Sequence, residues 1–349
     1  MKKKASEKKA IGEVRKTLQN ATKRYKIWVA CSGGADSLAL AYSAYHAVVD
    51  KTVLGAIIVD HQMQEGSAEV ARNTAKTLKN IGYDNVVIKK VQVPERKNKE
   101  NAAREARYGA FIEVIHNQDI NNTQQHIILT AHTKNDQAES VLLGLARGSG
   151  LKSISGIPQK RKLTDNITIS RPFLNISREQ TEYICKSEQL EFWVDPTNGT
   201  HGEQNLELPL RSQIRNTAIP YLQETLNPQI IDALAKTAEI AAETEKALSE
   251  TVKRGKKDAK ISETDEKTVL SVPKLASLSP AIRKRIIKEC ADRVNMSTKQ
   301  ATTKKQVDSI GNLVTNWHGQ KPIVLAGAVV FRETGNKEIV FLKNPNAQN

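Results

Sequence analysis

Between residues 26 and 150 the chain alternates short apolar runs with stretches whose apolar positions recur at helical spacing. Lys26–Cys31 (KIWVAC), Val53–Asp60 (VLGAIIVD), Asn85–Val93 and His126–Ala131 (HIILTA) read as strands, most of them apolar on both faces. Helical spacing follows Gly34 through Leu38, Leu40, Ala41, Ala44 and Ala47, and returns over 67–81, 100–116 and 135–146. Buried strands joined by helical crossovers predict an α/β fold with a doubly wound parallel sheet. A further helix is expected over 177–189, with Phe192–Asp195 as an added strand. From about residue 216 the pattern changes. Residues 227–257 keep helical spacing, with Leu234, Ala238, Ala241 and Ala242 near one face. The charged stretch 251–267 is expected to form a mobile loop, followed by helices over 279–294 and 303–317. Two strands in 322–343, joined by a Thr-Gly-Asn turn, close the chain. The expected organisation is a basic segment at 1–25, an α/β domain at 26–222, and a helical domain at 223–349 ending in a β-hairpin.

Charge adds a partner class to this picture. The 349 residues carry a formal net charge of +15, unevenly placed: +8 over 1–26, −3 over 27–245, +9 over 246–307 and +1 beyond. Cations gathered at the two ends suit a polyanion such as nucleic acid, or else serve as solvated tails. Cys31, Cys185 and Cys290 lie far apart with no C-x-x-C pair, which excludes a disulfide scaffold, disfavours a zinc or iron–sulfur site and points to a reducing, cytoplasmic setting. No segment is apolar for the roughly 18 residues a membrane span requires, and the lysine-rich start lacks the apolar run of a secretory signal.

The strongest local chemistry is Ser32-Gly33-Gly34-Ala35-Asp36-Ser37, between a buried strand and a helix. Paired glycines let backbone N–H groups converge on an anion, and the helix adds unpaired N–H groups with the positive end of its dipole. Ser32 and Ser37 can donate to phosphate oxygens, while Asp36 can hold Mg²⁺ or cap the helix. The alternative is a flexible turn ending in an N-cap. The chain has neither G-x-x-x-x-G-K-[ST] nor G-x-G-x-x-G after the first strand, which excludes a Walker-type loop and disfavours a dinucleotide fold.

This loop resembles that of the PP-loop ATP pyrophosphatase group, whose fold is the adenine nucleotide alpha hydrolase-like sheet. Further stretches resemble one branch, the lysidine synthetases: Val59-Asp60-His61, Asn101-Ala-Ala-Arg104-Glu-Ala-Arg107-Tyr108, and Ala131-His132-Thr-Lys-Asn135-Asp136-Gln137-Ala-Glu139-Ser140 running into Arg147-Gly148-Ser-Gly150. Arg171-Pro172-Phe-Leu174, Asp195-Pro-Thr197-Asn198 and Arg211-Ser212-Gln-Ile-Arg215 extend the resemblance over roughly 26–222. Two departures stand out: Asn135 where the family commonly has Asp, and Ser212 where Asn is frequent.

The resemblance implies that the wobble cytidine of a tRNA(Ile) with a CAU anticodon is adenylated on its C2 oxygen by ATP, and that free L-lysine then displaces AMP. ATP would be held by Ser32, Gly33, Gly34, Ala35, Asp36, Ser37, Asp60, His61, Arg107 and His132, with Mg²⁺ on Asp36. Asp36, Asp136 and Glu139 are the implied catalytic carboxylates, the last two also binding lysine. Asp136 and Glu139 share a helix face three residues apart, where they hold a cation or merely offset the helix dipole. Arg104 and Arg107 either bind phosphate or pair with Glu100 or Glu105; His132 either contacts ATP or is simply packed. Arg211 and Arg215 either clamp anticodon phosphates or pair with Glu203 and Glu207, and Lys253, Arg254, Lys256 and Lys257 are expected on the tRNA backbone. Aromatic residues are only 4% of the chain, so electrostatics rather than stacking must carry RNA affinity. The family also includes homodimers. Rival readings are a tRNA thiolase, which usually carries cysteine pairs, a small-molecule PP-loop amidotransferase or ligase, and a non-catalytic nucleotide- or RNA-binding protein.

Overall fold

The lysine-rich start is a docked helix rather than a tail. In α1 (Lys2–Leu18) the apolar stripe is short, but Ala10 and Val14 are fully buried in the main core. Lys9 Nζ donates to the Asn175 carbonyl at 2.9 Å, and Glu7 accepts from the Tyr42 hydroxyl at 3.2 Å. Part of the basic excess therefore belongs to the α/β unit itself. The computed structural model describes residues 2–19, 25–64, 66–94, 99–121, 123–148, 150–195, 208–295, 300–333, 335 and 337–344. Thr197, Asn198, Glu203, Glu207, the Glu100 side chain and most of the Thr-Gly-Asn turn fall outside these.

Two units are present, 1–242 and 243–349. The first alternates β1 (Tyr25–Ala30), α2 (Ala35–Ala47), β2 (Leu54–Asp60), α3 (Ser67–Ile81), β3 (Asn85–Lys90), α4 (Lys99–Gln118), β4 (Gln125–Leu129) and α5 (Lys134–Ala146). A one-turn α6 (Leu151–Ile154), β5 (Lys160–Lys162), β6 (Ile167–Ser170) and α7 (Arg178–Ser187) follow. The sheet order is β3-β2-β1-β4-β6-β5, parallel except for the edge strand β5. Period-2 alternation gives it two buried faces. Ile27 and Val29 join α1, α2 and α7 on one side, whereas Trp28 meets Phe111, Val114 and Ile115 of α4 on the other. Gly55 is needed here, since a Cβ would stand 2.6 Å from the indole of Trp28. The indole N–H donates to His126 Nδ1 at 3.3 Å, so the buried histidine is part of the core hydrogen bonding.

The chain winds outward from β1 through β2 to β3, then crosses back to β4 on the other side of β1. That reversal opens a crevice at the carboxyl ends of β1 and β4, where open α/β sheets bind ligands. The expected strand at Phe192–Asp195 is instead an irregular segment without sheet pairing, tied to the loop after β1 by the Trp193 N–H on the Gly33 carbonyl at 2.9 Å.

After α8 (Leu210–Gln213), a π-helical turn at 214–218 and α9 (Ile219–Thr225), the long α10 (Ile230–Ala259) runs past the expected loop start. Its last turns bury Val252 and Ala259 while Lys253, Arg254 and Lys257 stay exposed. Residues 251–267 are therefore ordered: helical spacing persists through the charge run, and β7 (Lys260–Glu263) pairs antiparallel with β8 (Lys267–Ser271). The second unit adds α11 (Val272–Ser277), α12 (Pro280–Val294), α13 (Lys304–Thr315), β9 (Ile323–Val324), β10 (Ala328–Glu333) and β11 (Glu338–Lys343). The strands form a five-stranded antiparallel sheet in the order β7-β8-β11-β10-β9, packed on α12 and α13 through Ile286, Ile287, Ile310 and Phe341. Trp317 packs on this core under the Arg332 guanidinium, 5.5 Å from its ring. Among the described residues no helix is long and apolar enough to cross a membrane.

Candidate active site

The loop after β1 has the shape its glycines allow. Gly33 has φ +89°, and a Cβ there would run into the Thr74 hydroxyl, itself fixed to the Val70 carbonyl at 2.7 Å. Ser37 Oγ receives the Ser32 N–H at 3.1 Å, lies 3.3 Å from the Ser32 hydroxyl and donates to the Gly34 carbonyl at 2.9 Å. The two serines therefore brace the turn; the Ser37 and Leu38 N–H groups donate to the Gly34 carbonyl, and those of Ala35 and Asp36 precede the first intrahelical bond. Cys31 and Cys185 lie beneath it, hydrogen-bonded to the Ser37 hydroxyl and the Ala35 carbonyl. Burial pushes both thiols up, Cys185 to about 12, so neither is a nucleophilic thiolate.

Three carboxylates from two elements converge beside the loop. Asp36 lies in the first turn of α2, and Asp136 and Glu139 on α5, as expected. Their common partner, Arg178 at the start of α7, was not evident in the sequence. Its guanidinium lies 3.6 Å from Asp36, 3.4 Å from Asp136 and 3.6 Å from Glu139. Arg215 grips Glu139 at 2.8 and 3.3 Å and lies 3.8 Å from Asp136. Arg215, expected either on RNA phosphates or paired with Glu203 and Glu207, is thus ion-paired with Glu139. A π-helical turn carries it inward, a form of backbone common at functional sites. Arg211, one turn earlier, donates to the Ser140 hydroxyl at 3.3 Å and lines a cavity of about 250 Å³ with Arg147 and Lys152.

The two oxygens of Asp136 have different partners. Oδ2 accepts from the Thr133 N–H at 2.7 Å and hydroxyl at 2.9 Å, fixing the start of α5, while Oδ1 faces the two arginines. Burial alone would raise its pKa, but the charge of Arg178, with His132 and the Thr133 N–H, outweighs this and lowers it. Asp36 goes the other way: burial pushes it up to about 6 against the opposing pull of Arg178 and the Thr181 hydroxyl, which donates to Oδ1. Asn135 turns away from this cluster, its side-chain oxygen accepting the Arg178 N–H at 3.0 Å. A carboxylate at that position could serve the same cap, so the departure leaves the cluster intact. Among the described residues no three Asp, Glu, His or Cys side chains form a metal cage. A single carboxylate, Asp36, beside a phosphate-sized nest nevertheless suits Mg²⁺, which is commonly held by one or two carboxylates plus phosphate oxygens and water.

On the other flank, Asp60 ends β2 almost fully buried. Its Oδ1 accepts the Gln62 N–H at 3.0 Å, whereas Oδ2 has no partner in the protein. Asp60 lines a cavity of about 360 Å³ with Ala68, Ala71, Ile88 and the cationic Arg72 and Lys90. A buried carboxylate oxygen without a partner beside such a cavity suits a hydroxyl or amino donor of a nucleoside. His61 Nε2 stands 3.5 Å from Arg107 Nε, and its Nδ1 is likewise without a partner. Burial and the Arg107 charge pull the imidazole down to about 4, keeping it neutral. His132, bonded through Nδ1 to the Thr130 hydroxyl at 3.1 Å, is also held near 4, by burial and by Arg171, Arg107 and Arg104 against the opposing Asp136. In the second unit, Lys256 pairs with Glu263 at 3.0 Å, unlike the exposed Lys253, Arg254 and Lys257.

Residues 6–222 match the family model for the PP-loop domain. A tRNA(Ile)-lysidine synthase of Bifidobacterium animalis subsp. lactis is 38% identical over 318 residues, covering 86% of this chain and 81% of that protein. One from Salinispora arenicola is 36% identical over 330 residues, covering 94% of each. Among solved structures, a U34-tRNA thiolase from Methanococcus maripaludis aligns with a TM-score of 0.54 over 69% of this chain and 80% of its own; at 18% identity it shares the fold alone. The sheet order, the braced loop after β1, the carboxylates on α5 and the length of the alignments agree, and the chain belongs to the tRNA(Ile)-lysidine synthase family of PP-loop proteins.

Proposed function

We propose that this chain joins free L-lysine to C2 of the wobble cytidine of a tRNA(Ile) bearing CAU, using ATP. In the first step the C2 oxygen attacks the α-phosphorus and pyrophosphate leaves; in the second the lysine ε-amine attacks C2 and AMP leaves. The observation that carries the reading is the junction of the phosphate loop with Asp36, Asp136 and Glu139 around Arg178. The loop and the start of α2 bind the polyphosphate, Asp60 and His61 bind the nucleoside, and the loop rigidity that Ser32 and Ser37 provide keeps the donors aimed. Mg²⁺, when bound, would neutralise polyphosphate charge with Asp36 as its protein ligand.

The carboxylates divide the remaining work by environment. Asp136, whose pKa is lowered, stays ionised and with Glu139 receives the cationic lysine. Burial pushes Asp36 up to about 6 in the metal-free chain, and a Mg²⁺ ion on it would favour the ionised form, so its part is to hold the metal. Three carboxylates and two guanidinium groups sum to one negative charge, which matches one monovalent cation. Arg107 and neutral His132 stand where the transferred phosphoryl group can be steadied without adding a proton. A cytoplasmic enzyme acting as a homodimer fits the family. The test supplies ATP, labelled lysine and a tRNA(Ile) transcript with CAU: lysine should enter the RNA with equal AMP and pyrophosphate. Failure of lysine to enter while sulfur or another amine does would overturn the reading.

A further inference from the structure

Arg215 is ion-paired with Glu139, and the edge of the sheet supplies a different set of cations. The strand β5 is Lys-Arg-Lys, exposed at all three positions, and pairs with β6; Lys162 is ion-paired with Asp165 at 2.8 Å. Arg161 lies with its guanidinium carbon 5.0 Å from the centre of the Tyr108 ring. Arg104 approaches the same ring at 5.5 Å and donates to the phenol oxygen at 3.1 Å. Arg171, at the end of β6, is only 1% exposed; its Nη1 donates to the Pro158 carbonyl at 2.6 Å and its Nε has no partner in the protein.

Three guanidinium groups thus surround one phenol. No carboxylate among the described residues lies within 4.0 Å of Arg104, Arg161 or Arg171. Like charges so placed repel, and a buried guanidinium without an anion is disfavoured. The neighbours register the field: Tyr108 has its pKa lowered although burial opposes this, chiefly through Arg104 with Arg171 and Arg161. Such a group is complete only with an external anion. It is also displaced from the phosphate loop, because β4 separates β1 from β6 and β5 lies one strand further. At about 4.8 Å per strand, Arg171 after β6 and Arg161 on β5 stand roughly 10–14 Å across the sheet from β1, while Arg104 reaches the group from α4, and the charges of Arg104 and Arg171 extend to His132. One polyphosphate already held by the loop leaves this second anion site to another polyanion.

We infer that Arg104, Arg161 and Arg171, gathered round Tyr108 at the β5–β6 edge, form a clamp for RNA phosphodiesters next to the wobble nucleotide. The inference rests on the proposed function. It makes the exposed Arg161 and Arg104 the sequence-independent grip and the buried Arg171 the fixed floor of the site. It also gives the motif helix α4 two roles, with Arg107 turned toward His61 and Arg104 toward the RNA.

The test measures affinity of the full chain for a tRNA(Ile) CAU transcript between 50 and 200 mM salt, for wild type, Arg161→Ala, Arg161→Lys and the double variant Arg104→Ala/Arg161→Ala. Each lost phosphate contact should flatten the log–log salt slope by about 0.7, so the double variant by about 1.4, while Arg161→Lys retains the wild-type slope. ATP affinity without RNA should stay within about twofold, since the loop is untouched. Unchanged slopes would overturn the clamp, as would a loss of ATP affinity matching the loss for RNA, which would assign the arginines to the triphosphate. Lysine transfer by wild type is followed in parallel. A chain that binds the transcript with the expected slopes but transfers no lysine would defeat the enzymatic reading and leave the clamp standing.

Discussion

Replacing Arg178 by Ala tests the centre of the site. Arg178 touches Asp36, Asp136 and Glu139 at 3.4–3.6 Å, and only Arg215 would remain to offset three carboxylates. At an effective dielectric near 20 each contact is worth about 4–5 kcal/mol before desolvation. Breaking a buried ion network by removing one partner typically costs about 3–5 kcal/mol net, and the 19% exposure of the Arg178 side chain lowers the expectation to about 2–4 kcal/mol. The assay is urea unfolding of wild type, Arg178→Ala, Asp36→Asn and the double variant at pH 7. Neutralising Asp36 removes one of the repelling charges, so the double variant should recover at least about 1 kcal/mol relative to additivity. Misplaced carboxylates should also raise the KM for lysine more than tenfold. An Arg178→Ala protein within about 0.5 kcal/mol of wild type, or strict additivity with Asp36→Asn, would refute the view that one guanidinium organises the three acids.

Three further outcomes follow from the same geometry. Below pH 3.8 Asp36 is protonated folded or unfolded and contributes nothing; between 3.8 and about 6 the unfolded chain alone gives up the proton, so stability falls as pH rises, and above about 6 the full penalty applies. The shift corresponds to about 3 kcal/mol, or about 1–2 kcal/mol after screening at a side chain 27% exposed, so metal-free Asp36→Asn should be the more stable protein at pH 7; parallel pH–stability curves would count against it. Gly33→Ala should weaken ATP binding at least tenfold, with partial relief from Thr74→Ala, because removing the hydroxyl clears the clash but not the positive φ; complete rescue would show that sterics alone matter. Alanine at Lys253, Arg254 and Lys257 should flatten the salt dependence of tRNA binding, whereas Lys256→Ala, which breaks the pair with Glu263, should act mainly on stability; equal effects from both would refute that division.

The parts legible in the sequence are those governed by local rules. Continuous apolar runs became β1, β2 and β4, and SGG-x-DS became the turn its glycines permit, because both depend on residues a few positions apart. The α5 carboxylates were legible for the same reason, lying three apart on one helix face. Arg178 was not, because its role comes from where the start of α7 meets α2 and α5, and its only sequence signal is the Ser177 and Gln180 capping box beside it. The pairing of Arg215 with Glu139 was not legible either, because it joins a π-helical turn at 214–218 to α5, 76 residues away. Residues 251–267 were misread because charge density was taken for disorder, although Val252 and Ala259 keep the helical stripe and Val269 with Leu270 the strand. The arginines round Tyr108 needed the antiparallel return of β5, which no local pattern announces.

The net charge of the α/β unit acquires a direction from these placements. Asp60 lies at the end of β2, the phosphate loop follows β1, Asp136 and Glu139 follow β4, and Arg171 follows β6, so a buried carboxylate, the loop, the α5 carboxylates and the arginines succeed one another along the carboxyl ends of the strands. The edge is acidic in its middle and cationic at the β5–β6 side. Under the proposed function, a free lysine with net charge +1 is drawn to the middle, and an RNA backbone to the arginines, without either blocking the other. Exchanging the two polarities would place the ammonium against Arg161 and a phosphodiester against Glu139, each a like-charge contact costing several kcal/mol at low dielectric. On that reading, electrostatics sets the order of the substrates along the edge before any base is read. A charge-reversed Arg161→Glu should therefore weaken tRNA binding beyond Arg161→Ala at every salt concentration while leaving lysine's apparent affinity, measured at saturating tRNA, within about twofold.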